Sequence, residues 1–93
     1  MLDAGQAVSK AQEYLKQFIP DFAILQPRVE EIVLVPDSSS WRIRFYAYSG
    51  DPSKAATLAD LMRFRRIEKI VLISAQDGGL IGISNPAPAS LAS

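Results

Sequence analysis

From Ala4 to Phe18, apolar residues recur at steps of three and four: Ala4, Ala7, Val8, Ala11, Leu15 and Phe18. Gln6, Lys10, Gln12, Glu13, Lys16 and Gln17 fill the positions between. This period predicts an amphipathic helix. Asp3 fits its N-cap, and Gln6, three residues on, completes a capping box. Pro20 predicts the stop, because it carries no N–H and disfavours helix at Ile19. Alanines on the apolar stripe suggest close approach to a flat surface such as a sheet. Asp21 to Pro27 reads as a connector with apolar anchors.

The period then changes. Val29 to Val35 is rich in β-branched residues and predicts a strand. Pro36-Asp37-Ser38-Ser39-Ser40 is turn chemistry. Trp41 to Tyr48 alternates most clearly: Trp41, Ile43 and Phe45 against Arg42, Arg44 and Tyr46. These two segments predict an antiparallel hairpin. Asp51-Pro52 suits the start of a helix, and Ala55, Leu58, Leu61, Met62 and Arg65 fit a short one; a loop over residues 51–66 that feeds a long strand from Met62 also fits. Ile67 to Ser74 predicts a third strand, Gln76-Asp77-Gly78-Gly79 a tight turn whose glycines supply positive φ, and Leu80 to Ser84 a fourth strand. The order predicts an α+β fold: an N-terminal helix packed on a four-stranded antiparallel sheet of two hairpins. One domain is expected over residues 1–84. Residues 85–93 read as a flexible Pro/Ala/Ser tail.

The chain has 93 residues, ten basic and ten acidic side chains, no cysteine and no histidine. That size fits one small domain. Disulfide, thiol and histidine chemistry are excluded, and with them Ser-His-Asp and Cys-His catalysis. Zero net charge removes the basic field that recruits nucleic acid. Apolar runs fall short of the ~20 residues that cross a bilayer. Met1-Leu2-Asp3-Ala4-Gly5 has no basic stretch leading into an apolar one, so no signal peptide is read and a cytoplasmic location is expected.

The helix of Ala7 to Phe18 is followed by a Val-Glu-Glu-Ile-Val-Leu strand, then by Trp41-Arg42-Ile43-Arg44-Phe45. The chain closes on Ile70-Val71-Leu72-Ile73-Ser74-Ala75-Gln76-Asp77-Gly78-Gly79-Leu80-Ile81. This pattern resembles the PepSY-like and cystatin-like α+β domains. The resemblance implies a helix laid on a curved antiparallel sheet, and a non-enzymatic module such as a propeptide, an inhibitor or a sensor. It carries no functional residues over.

Candidate chemistry is sparse. Glu30 and Glu31 are neighbours, so in a regular strand they point to opposite faces. Asp37, Asp51 and Asp77 sit in turn contexts. No spacing suggests a metal site, and no cofactor is expected. Gln76-Asp77-Gly78-Gly79 leads into a strand rather than the helix a phosphate loop needs. Ser38-Ser39-Ser40 has no histidine base. Arg42, Arg44, Arg63, Arg65, Arg66 and Lys69, with Tyr46 and Tyr48, form the one basic and aromatic group; nearby Glu31, Asp60 and Glu68 favour ion pairing over nucleic-acid binding.

The strands are apolar on both faces, yet one helix covers only one. The face opposite the helix is expected to present Val33, Val35, Arg42, Arg44, Tyr46, Tyr48, Val71 and Ile73. Apolar area edged by tyrosine and arginine is the composition of a protein interface. The residues thus favour a non-enzymatic binding module whose partner is another protein or a second copy, with a homodimer expected. The alternatives are the Asp51–Phe64 segment folding over that face, a small-molecule carrier or small enzyme with a cavity between helix and sheet, and a single-stranded nucleic-acid binder.

Overall fold

In the computed structural model, which describes residues 1–48 and 66–86, helix α1 spans Ala4–Phe18. Its N-terminus is capped reciprocally. The Gln6 N–H donates to the Asp3 carboxylate at 2.8 Å, and the Asp3 N–H donates to Gln6 Oε1 at 3.0 Å. These bonds satisfy donors that the first turn leaves unpaired. The Ile19 N–H still reaches the Leu15 carbonyl at 2.8 Å, and Pro20 then ends the ladder. Pro20 also opens a second helical turn, α2 (Pro20–Ala23). The sequence pattern reads Asp21 to Pro27 as a connector with apolar anchors, without a helical turn. A proline at the first helical position loses nothing by its missing N–H and is already set to helical φ. That turn drops Phe22 into the core.

Four strands follow: β1 (Arg28–Val35), β2 (Ser40–Tyr48), β3 (Arg66–Ser74) and β4 (Leu80–Ser84). They lie in the order β1-β2-β3-β4, each antiparallel to its neighbours. The fold is α+β, as the sequence pattern predicts. A 3₁₀ turn over Pro36–Ser38 joins β1 to β2, with Ser39 left-handed at φ 47°. Between β3 and β4, Gly78 alone takes a positive φ, 77°. Gly79 serves the turn differently, donating its N–H to Asp77 Oδ1 at 2.8 Å.

The core lies between α1 and the middle of the sheet. Ala7, Ala11 and Leu15 come from α1 and Phe22 from α2; Ile43, Phe45 and Ala47 come from β2, and Val71 and Ile73 from β3. The alanines let α1 approach β2 and β3 closely, which leaves Phe45 with no exposed surface. Val71 and Ile73 therefore belong to the helix side, not to the opposite face where the sequence reading put them. Ile43 pairs with Val71 and Trp41 with Ile73, so these residues share a face. Ile70 and Leu72 point the other way. β4 departs from plain alternation. Its register shifts between Leu72 and Ile73, which brings both Leu80 and Ile83 against the core and leaves Ile81 exposed.

The N-terminus is tied to the far end of the sheet. The Leu2 N–H donates to the Ala75 carbonyl at 2.7 Å, and Trp41 Nε1 donates to the Leu2 carbonyl at 3.0 Å. The Tyr14 hydroxyl donates to the Gly78 carbonyl at 2.9 Å. Trp41 and Tyr14 thus pack half-buried rings against the core while their polar tips find backbone partners. The short helix read near residues 55–65, the cover offered by Asp51–Phe64 and the tail from residue 87 lie outside the described residues. No helix among the described residues is long and apolar enough to cross a membrane.

The turn generates a sharp contrast between glycines. A Cβ at Gly78 would sit 3.1 Å from Leu2 Cδ2 on a left-handed backbone, whereas one at Gly82 meets no atom within 4 Å. Gly78→Ala should cost about 1 kcal/mol or more. Gly82→Ala should stay within about 0.5 kcal/mol of the parent. Urea denaturation of the two variants checks this.

Candidate protein-binding face

β2 builds this face by alternation. Because Ile43, Phe45 and Ala47 are buried under α1, the residues between them turn outward. Arg42, Arg44, Tyr46 and Tyr48 therefore line one face, as the sequence predicts. Cross-strand register places their neighbours. Val33 pairs with Arg42 and Val35 with Ser40; Leu72 pairs with Arg42, Ile70 with Arg44, Glu68 with Tyr46 and Arg66 with Tyr48. Six of the eight expected residues are brought together. Val71 and Ile73 are replaced by Ile70 and Leu72.

The face has two zones. Towards the end of β2, the Arg66 guanidinium stands 4.3 Å from the centre of the Tyr46 ring. Tyr48 meets Tyr46 edge-on, with ring centres 6.2 Å apart and planes at 82°. Arg66 also bridges Glu30 at 2.5 Å and Glu68 at 3.4 Å. At the other end lies the aliphatic zone of Val33, Val35 and Leu72. Arg42 borders it, bridged to Glu31 at 3.3 Å.

The glutamates correct the sequence reading. Adjacent residues in a regular strand face opposite ways, but β1 carries an irregularity between Val29 and Glu31. A bulge inserts one residue and breaks the alternation. Glu30 and Glu31 consequently both reach arginines of the outer face. Four arginines (Arg28, Arg42, Arg44, Arg66) stand among three glutamates (Glu30, Glu31, Glu68) there. The ion pairs hold the side chains in defined positions and leave little net charge. Exposed pairs of this kind add little stability by themselves.

Hydrogen bonding with the Glu68 carboxyl and with Arg66 holds the Glu30 carboxyl below its ordinary value of 4.5. The Glu30 hydrogen bond in turn raises Arg66, which keeps its charge at every working pH. Asp77 is lowered by the Gly79 N–H and the Ser74 hydroxyl. It belongs to the β3–β4 turn and lies apart from the face.

Sequence reasoning groups Arg66 with Arg42, Arg44, Tyr46 and Tyr48 and expects ion pairing by Glu31 and Glu68, but it does not place Arg66, Glu68, Ile70 and Leu72 on this face. Arg66 and Glu68 share the parity of Ile70 and Leu72, and opposite charges two apart were the available signal. The region between α1 and the sheet, where a ligand cavity was considered, is filled by Leu15, Phe22, Ile43 and Phe45. Surface grooves lie elsewhere. One of about 710 Å³ runs beside Leu2, Gln6, Lys10 and Gln76, and one of about 440 Å³ lies beside Gln12, Lys16, Ala23 and Gln26. Among the described residues, no group of three Asp or Glu side chains is placed to hold a metal ion. Comparison with protein-family models, curated proteins and solved structures finds no match.

A carboxylate whose folded pKa is depressed adds stability above its unfolded pKa and loses it as pH falls through the folded value. The melting temperature of the parent should therefore exceed that of Glu30→Gln at neutral pH. The gap should close as pH drops below 4.5. Thermal melts across that range test the sign.

Proposed function

We propose that this chain is a non-catalytic protein-binding module that buries the tyrosine–arginine face of its sheet in a protein partner. The observation that carries the reading is the Tyr46–Tyr48–Arg66 cluster, open to solvent at Tyr48 (47% exposed), beside the aliphatic patch of Val33, Val35 and Leu72. Tyrosine and arginine are over-represented among residues that dominate binding energy, because each offers large contact area together with a polar tip. Stacking and ion pairing fix these side chains before binding, so less conformational entropy is lost on association.

The charge balance favours protein over nucleic acid. A single-stranded nucleic-acid surface combines stacking aromatics with unpaired cations. Here Arg42 and Arg66 are engaged by glutamates. The helix-on-antiparallel-sheet layout fits a module of the PepSY-like or cystatin-like kind, a class that acts by binding.

Changing Tyr48 or Tyr46 to alanine should weaken capture of the partner by about thirtyfold, the effect of losing about 2 kcal/mol at a hot spot. Lys16→Ala, on the exposed side of α1, should leave capture unchanged. Affinity purification of the three variants from the same extract, with circular dichroism to verify folding, compares them. Equal capture by all three overturns the reading, as does capture lost only with Lys16→Ala. Tyrosine-dependent, salt-sensitive binding of a single-stranded oligonucleotide would replace the protein by nucleic acid.

A further inference from the structure

We infer that the free edge of β1 pairs with β1 of a second copy of the chain, antiparallel about a two-fold axis through Val33. β1 is an edge strand of the sheet, and among the described residues nothing pairs with its outer side. Edge strands expose a row of unpaired backbone groups, and proteins blunt them with charges, prolines and bulges. β1 carries these devices only at its ends. The irregularity at Glu30 closes one end and Pro36 the other. Between them, Glu31 to Val35 is a regular five-residue ladder with one charge, and Arg42 already holds that charge.

This window is centred on Val33, so a two-fold axis there maps it onto itself. The antiparallel match sets Ile32 against the second copy's Leu34, Val33 against Val33, and Glu31 against Val35. No like charges meet. Ile32 and Leu34 lie on the helix side of the sheet, yet are 37% and 39% exposed. The reason is that α1 packs over β2 and β3 rather than β1. A second β1 would continue the apolar layer past that margin.

Charge complementarity points to the same occupant. Beyond the ladder, the antiparallel match sets the Arg28 end of one β1 beside the 3₁₀ turn that carries Asp37 in the second copy, and symmetry repeats that juxtaposition. Both residues are exposed, and neither makes an ion pair among the described residues. A ladder of five residues a side buries less than the ~1,200–2,000 Å² of a standard interface, so the dimer is weak and concentration-dependent. Pairing would lay two tyrosine–arginine faces side by side in one continuous sheet. It does not depend on the proposed function of that face.

The chain has no cysteine, so Val33→Cys introduces a unique one. On the axis, the two Cα atoms would stand ~4.5–5.5 Å apart, within the reach of a disulfide. Mild oxidation should convert Val33→Cys largely to a covalent dimer and leave Tyr48→Cys mostly monomeric. Sedimentation of the unmodified chain through the micromolar range should show mass rising toward a dimer. Arg28→Glu or Asp37→Arg alone should weaken the dimer roughly threefold to tenfold, and the two together should restore it. A chain that stays monomeric throughout overturns the inference. Association that ignores the charge changes but is abolished by Tyr48→Lys also overturns it, and places self-association on the outer face instead. Loss of the edge dimer with partner capture intact would leave the proposed function standing.

Discussion

Burial of Ile43, Phe45 and Ala47 beneath Ala7, Ala11 and Leu15 is the contact on which the rest of this molecule depends. It fixes which side of β2 faces inward. Because side chains alternate along a strand, it also sends Arg42, Arg44, Tyr46 and Tyr48 to the other side. β2 is a central strand, so its choice passes through register to β1 and β3. Slipping the pairing by one residue would exchange every face. Losing Phe45 alone would remove a side chain with no exposed surface, a change that typically costs ~3–5 kcal/mol and exceeds any surface ion pair here.

Small alanines on α1 make that burial close, and the N-terminal ties hold it in register. Leu2 bonds Ala75, Trp41 bonds Leu2, and Tyr14 bonds Gly78. These bonds join the start of the chain, the head of β2 and the β3–β4 turn at one end of the molecule. The outer face is organised at the opposite end of β2, around Arg66. Its guanidinium stacks on Tyr46 while its charge is shared between Glu30 and Glu68. Stability is thus concentrated on one side of the sheet, and adaptable polar contact on the other.

Local signals made most of this legible in the sequence. Helical period, the Asp3–Gln6 cap and Pro20 locate α1, and the alternation of Trp41 to Tyr48 assigns both faces of β2. What escaped has two physical causes. Ile70-Val71-Leu72-Ile73 is apolar at every position, so composition cannot reveal its parity; only pairing with β2 does. Bulges break the period of two that face assignments assume. One hid that Glu30 joins Glu31 on the arginine face, and the other turned Ile81 outward. Pro20 signals the helix it ends more plainly than the one it begins.

In the proposed function the molecule meets its partner through the side of the sheet turned away from α1. Hydroxyl-radical footprinting of the chain, alone and in its native extract, tests this directly, because tyrosine and tryptophan rings report on both sides at once. Protection is expected at Tyr46 and Tyr48 in the extract, with Tyr14 and Trp41 labelled as in the isolated chain. Protection at Tyr14 and Phe18 with Tyr46 and Tyr48 unchanged would place the contact on the helix and contradict it.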